Sequence, residues 1–112
     1  MYGIPVEKLH DQLKQFCQRW MISEMALFGS VVRADFQPDS DVDILVSFAK
    51  GAGWSLFDHV QMQQELQAII ERPVDLVSRR AVEGSANWVR RDEILGSAKV
   101  IVTTGERAHA AG

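Results

Sequence analysis

The chain has little cysteine, little proline and no long apolar run. Its single thiol, Cys17, closes no internal disulfide, so nothing requires an oxidising compartment. No apolar stretch nears the roughly 18 residues of a membrane-spanning helix. Met1-Tyr2-Gly3-Ile4-Pro5 lacks the basic and apolar regions of a signal peptide. The cytoplasm is therefore the expected location, with no membrane contact. Positive charge is also short: 12 Lys+Arg against 15 Asp+Glu leave a net charge of -3. Nucleic-acid binders draw affinity largely from basic residues facing phosphates, so direct nucleic-acid binding is not expected. His10, His59 and His109 stand too far apart for metal-ligand spacing.

What is present fits one globular domain. The 112 residues are 46% hydrophobic and 24% charged, an ordinary soluble composition. A single domain over residues 1–112 is expected, with a frayed tail at 105–112. Val6, Leu9, Leu13, Phe16 and Trp20 recur at helical spacing after Pro5, which predicts a helix over about 5–20. Met25-Ala26-Leu27-Phe28 predicts a short buried strand ending at Gly29-Ser30. A short helix is expected over Val31–Asp35, then a loop to Ser40. Residues 42–48 predict a second strand. Ser55 and Asp58 resemble a capping box before a helix to about Glu71, supported by Leu56, Val60, Leu66 and Ile70. A third strand is expected over 73–77, a helix capped by Asn87 over 87–97, and a final strand over 99–103. Trp20, Trp54 and Trp88 are expected to pack, and Cys17 to sit in or beside the core. The alternation of helices and strands gives an α/β class.

Three features carry chemistry. Gly29-Ser30 lies where a buried strand meets a helix start, whose free N–H groups attract anions. Asp41-Val42-Asp43 places two carboxylates on one face of a strand. Adjacent anions repel and raise each other's pKa, and a hard divalent cation such as Mg2+ relieves the conflict. Asp75 sits within a short apolar strand, where charge is uncommon. If that strand lies beside the Asp43 strand, Asp75 completes a cluster of three carboxylates. Each feature alone has an ordinary reading: a common turn pair, a solvent-facing Asp-x-Asp, and the exposed face of an edge strand.

Together they resemble the minimal nucleotidyltransferase (MNT) branch of the DNA polymerase β superfamily. The resemblance rests on Phe28-Gly29-Ser30, Arg33, Ser40-Asp41-Val42-Asp43 and Val74-Asp75-Leu76-Val77. Trp54-Ser55-Leu56-Phe57-Asp58 is similar to the family's segment before its long helix, and the likeness runs from about Leu9 to Val102. Ala34 departs from it, since many members have Gly there. The resemblance implies a nucleotidyltransferase fold, a small mixed sheet of about four strands packed with helices.

It also implies a mechanism. Asp41 and Asp43 would hold Mg2+ on the triphosphate of ATP, and Asp75 would share a second ion and accept the proton of the attacking hydroxyl. Gly29 and Ser30 would cradle the outer phosphates, and Arg33 would pair with phosphate. Three carboxylates do not separate Mg2+ from Mn2+. Arg79-Arg80 and Arg90-Arg91 are expected to be solvated or partner-facing, with contact to phosphate or the acceptor as the lesser alternative. Minimal members pair with HEPN ribonuclease toxins and act as antitoxins, transferring AMP to a toxin tyrosine. The expected role is thus a protein adenylyltransferase antitoxin in a hetero-oligomer with a HEPN toxin. Two alternatives stand beside it: a non-catalytic antitoxin that neutralises its partner by steric binding, and a transferase with a small-molecule or nucleic-acid 3′-end acceptor.

Overall fold

A computed structural model describes residues 4–33 and 40–104. Helix α1 spans Val6–Arg19 and turns Val6, Leu13, Phe16 and Cys17 inward. Pro5 is its cap rather than its first helical residue. Strand β1 (Ile22–Phe28) follows, buried along its whole length. It begins three residues earlier than its apolar run suggests, because its polar residues are satisfied inside. Ser23 Oγ donates to the Ser47 carbonyl at 3.1 Å, and Glu24 lies 3.7 Å from the Arg79 guanidinium.

A short 3-10 helix, Gly29–Val32, leaves β1 directly. The helix expected over Val31–Asp35 therefore starts earlier, as a 3-10 turn, and the backbone is extended at Arg33. Residues 34–39, including Ala34, lie outside the described residues, as does the 105–112 tail. Strand β2 (Val42–Phe48) has the expected bounds. Helix α2 (Leu56–Ile70) opens on a complete Ser55–Asp58 capping box. It then leads to β3 (Val74–Ser78), α3 (Arg79–Glu83), α4 (Trp88–Ser97) and β4 (Lys99–Thr103). The five-residue α3 was not expected, since it is too short to show a helical period.

The sheet runs β3-β2-β1-β4. β1 pairs antiparallel with β2 and β4, while β2 and β3 are parallel. A parallel pair needs a crossover, and α2 supplies it. The α2 side chains also cover the outer edge of β3. Gln67 and Gln63 accept from the N–H groups of Val74 and Leu76 at 3.1 and 3.3 Å. His59 Nε2 donates to the Leu76 carbonyl at 3.0 Å and so helps hold this edge. An edge strand paired this way offers few free groups to another chain.

Strand alternation sends side chains to two different cores. On one face, Leu13, Phe16, Met62 and Leu66 of α1 and α2 pack on Leu27, Ile44, Val46 and Leu76. Each fully buried side chain of this size contributes about 1.5–3 kcal/mol. On the other face, the smaller cluster among the described residues joins Val82 and Ile94 of α3 and α4 to Ala26, Phe28 and Leu45, with Val77, Leu95 and Ala98 half-buried beside them. Two expectations need correction here. Trp88 does not pack: it is 64% exposed, because α4 turns Ile94 to the sheet instead. Leu56 and Val60 point outward, and Met62, Leu66 and Ile70 form the buried stripe of α2. Trp20 and Trp54 meet edge to face, and Trp54 Nε1 donates to the Trp20 carbonyl at 2.8 Å.

Candidate active site

The thinly covered face ends in the residues that the sequence singles out. Phe28 of β1 is the register partner of Asp43 on β2. Asp43 is in turn the register partner of Asp75 on β3. Neighbouring strands lie about 4.8 Å apart, so Asp43 and Asp75 stand side by side on one face. The adjacency that the sequence left conditional is therefore present. Asp41 precedes β2 and is exposed, as is Asp75; Asp43 is half-buried.

Gly29 shows why this turn needs glycine. Its φ is +72°, a left-handed conformation, and a Cβ built on it would collide with the Asp43 carboxylate. The missing side chain is what lets the turn and the carboxylate share the same space. Ser30 and Arg33 follow on the 3-10 turn and its exit, with Arg33 N donating to the Ser30 carbonyl at 3.0 Å. Gly29, Ser30, Arg33 and Asp43 line one cavity of about 250 Å³.

Two contacts hold the approach to β2. Val42 N donates to the Pro73 carbonyl at 2.8 Å. The Arg72 guanidinium donates to the Ser40 carbonyl at 3.2 Å. Both tie the Ser40–Asp41 segment to the start of β3. Arg72 gave no sign in the sequence, since its acceptor is a backbone carbonyl 32 residues away.

The charge balance at Asp43 is unfavourable to its ionised form. Burial pushes its pKa up, and the neighbouring Asp75 and Asp41 push it further. Arg90 and Arg33 act in the opposite sense and offset part of the rise. Among the described residues, no three His, Cys, Asp or Glu side chains form a ready metal cage. The crowded carboxylates still fit Mg2+. That ion is usually held by one or two carboxylates, with substrate phosphates and water completing the shell.

Four residues of α4 also line this cavity, and the sequence singled out only Arg90 among them. Arg90, Glu93, Ile94 and Ser97 of α4 close it from above the sheet. For Arg90 the sequence favours a solvated or partner-facing role and offers phosphate contact only as the lesser alternative, since its position depends on how α4 crosses the sheet. By contrast, Arg79 is committed to Glu24 and Glu83, and Arg91 lies 3.5 Å from Asp92. Cys17 takes no part: burial pushes its thiol up to about 12, so it stays protonated in the core.

Comparison with known proteins bears on the same region. The nucleotidyltransferase domain family matches residues 9–101. The chain is 35% identical over 82 residues to protein adenylyltransferase MntA of Thermococcus cleftensis, covering 72% of this chain and 81% of that one. A chain from a toxin–antitoxin crystal structure with AMP-PNP superposes with a TM-score of 0.66 at 20% identity, covering 89% of this chain and 77% of that one. Another comes from a tri-AMPylated Shewanella oneidensis HEPN toxin in complex with an MNT antitoxin. It superposes with a TM-score of 0.61 at 19% identity, covering 94% of this chain and 78% of that one. These two structural matches share the fold of this chain.

Proposed function

The chain belongs to the nucleotidyltransferase domain family, and we propose that it is an antitoxin that transfers AMP from ATP to a tyrosine of a HEPN ribonuclease toxin. The observation that carries this reading is the side-by-side placement of Asp43 and Asp75 against the Gly29 turn. The relative named as a protein adenylyltransferase supports a protein acceptor. So do the toxin–antitoxin structures that share the fold, one with an ATP analogue and one with an AMPylated toxin.

The residues divide the work. Gly29 lets the backbone approach the triphosphate, and the Ser30 N–H and hydroxyl donate to its outer phosphates. Arg33 adds a charge-assisted contact to the same end. Asp41 and Asp43, with Asp75 beside them, would hold Mg2+ or Mn2+, which when bound supplies charge neutralisation and acidifies the attacking hydroxyl. Asp75 accepts the phenolic proton. The tyrosine oxygen bonds to the α-phosphorus as the bond to pyrophosphate breaks, and pyrophosphate leaves with its electron pair. Positioning and electrostatics supply most of the rate.

One observation favours the steric alternative. Leu56 and Phe57 at the start of α2 are 78% and 87% exposed, apolar area that a partner protein would cover. Intact-mass spectrometry separates the two readings. The HEPN partner is incubated with this chain, ATP and Mg2+, beside an Asp41→Asn/Asp43→Asn control. AMP additions by the wild type alone support adenylylation. An unmodified partner in a stable complex would sink it and leave steric binding.

A further inference from the structure

Arg19, Arg79 and Arg91 are each engaged by a carboxylate. Among the described residues, the Arg90 guanidinium makes no hydrogen bond or ion pair. Its backbone is nevertheless held. Asn87 Oδ1 caps α4 by accepting from Arg90 N at 3.2 Å. One turn later, Ile94 is buried with Ala26, Phe28 and Leu45. Residues four apart share a helix face, so anchoring Ile94 brings Arg90 over the site.

Two cavities meet at this point. The first, of about 250 Å³, joins Arg90 to Ser30, Arg33 and Asp43. The second, of about 180 Å³, joins Arg90 to Val77 and Val82. Arg90 and Ile94 line both, whereas Arg33 lines only the first and Val77 only the second. Val77 follows Asp75 by two residues on β3 and so shares its face. The second cavity therefore opens on the same face of β3 as Asp75, although Asp75 itself lines neither cavity, and Arg90 stands on the boundary between the two.

We propose that Arg90 binds the phosphate being transferred, the α-phosphate, while Arg33 serves the outer two. This rests on reading the first cavity as the nucleotide site and the second as the acceptor side. The phosphoryl group in transit lies between leaving group and acceptor, which is the position of Arg90 between the two cavities. A guanidinium suits that place, since its planar fork matches phosphate oxygens. Held on a helix, it is aligned before the reaction begins.

The test needs no acceptor. The ¹⁵N-labelled chain is titrated with AMP and with AMP-PNP at fixed Mg2+, and amide shifts give both affinities and a check on folding. Arg90→Ala should weaken both nucleotides roughly tenfold, as expected for one charge-assisted contact. Arg33→Ala should weaken AMP-PNP by a similar factor and leave AMP binding as it was. Arg90→Lys should keep part of the AMP affinity, since it retains charge without the fork. Wild-type AMP affinity in Arg90→Ala would overturn the proposal while leaving the nucleotide site intact. A wild-type chain that binds neither nucleotide would overturn the nucleotide-site reading as well.

Discussion

The two faces of the sheet treat a carboxylate in opposite ways. At the seam of α1 and α2, Glu65 is surrounded by donors. It accepts from Trp20 Nε1 and Gln61 Nε2, each at 3.0 Å, and pairs with Arg19. Burial pushes its pKa up, but the hydrogen bonds from Trp20, Gln61 and Arg19 outweigh burial and hold it low. On the other face, burial raises Asp43, and Asp75 and Asp41 raise it further. The first face spends its polar groups on stability. The second keeps an uncomfortable concentration of negative charge beside an open cavity, as functional sites commonly do.

The largest effects should come from cutting one residue on each face. Phe16 is fully buried in the α1/α2 core. Phe16→Ala should cost about 3–5 kcal/mol, a large share of the roughly 5–15 kcal/mol that holds a domain together. Asp43→Asn should do the reverse: the Tm rises by a few degrees because a disfavoured charge is gone, while AMP transfer is lost. Thermal melts of both variants beside a transfer assay check the pair. An Asp43→Asn protein less stable than wild type would break the contrast, since Asp43 would then be holding the fold.

Gly29→Ala probes where the faces meet. The left-handed φ and the collision with Asp43 act together. The conformational part alone should cost about 1–2 kcal/mol. Displacing Asp43 should lower transfer far more than this stability loss explains. A urea midpoint and an initial rate, taken on the same preparation, separate the two. Unchanged transfer in a destabilised Gly29→Ala protein would show that the close approach serves the fold only.

Much of the two-faced plan was readable in the residues. Strand β2 has its bounds written in its β-branched run, and the Ser55–Asp58 box marks the start of α2. Asp41, Asp43 and Gly29-Ser30 lie in short local patterns, so spacing revealed them. Asp75 needed one further fact, the β2–β3 register, and sequence could state it only as a condition. Arg90 could be read only as a lesser alternative, for a different reason. It shares the Asp43 cavity from a helix 47 positions later in the chain, and only the docking of Ile94 on the sheet brings it there. Ser23 and Glu24 concealed the start of β1, because their polarity signals exposure until Ser47 and Arg79 are seen to satisfy them.

The smallest expected effect is a difference in slope with pH, and it tests the contrast most directly. Glu65 is held below its unfolded value, so the stability it contributes is present above that value, about 4.3, and is lost as pH falls through the folded one. Asp43 is raised above its unfolded value, about 3.9. Just above that value the native state binds more protons than the unfolded chain, so stability falls as pH rises through the window. Between pH 3 and 7 the two carboxylates therefore pull in opposite directions. Urea midpoints over that range should rise more steeply with pH in Asp43→Asn than in wild type. They should rise less steeply in Glu65→Gln, and only modestly so, because the Arg19 partner is 56% exposed and water screens the pair. An Asp43→Asn curve parallel to the wild type would mean that the site carboxylate ionises in the folded chain as freely as in the unfolded one. The crowding at Asp43 would then be relieved already by Arg90 and Arg33, and the site would hold no charge for a cation to relieve.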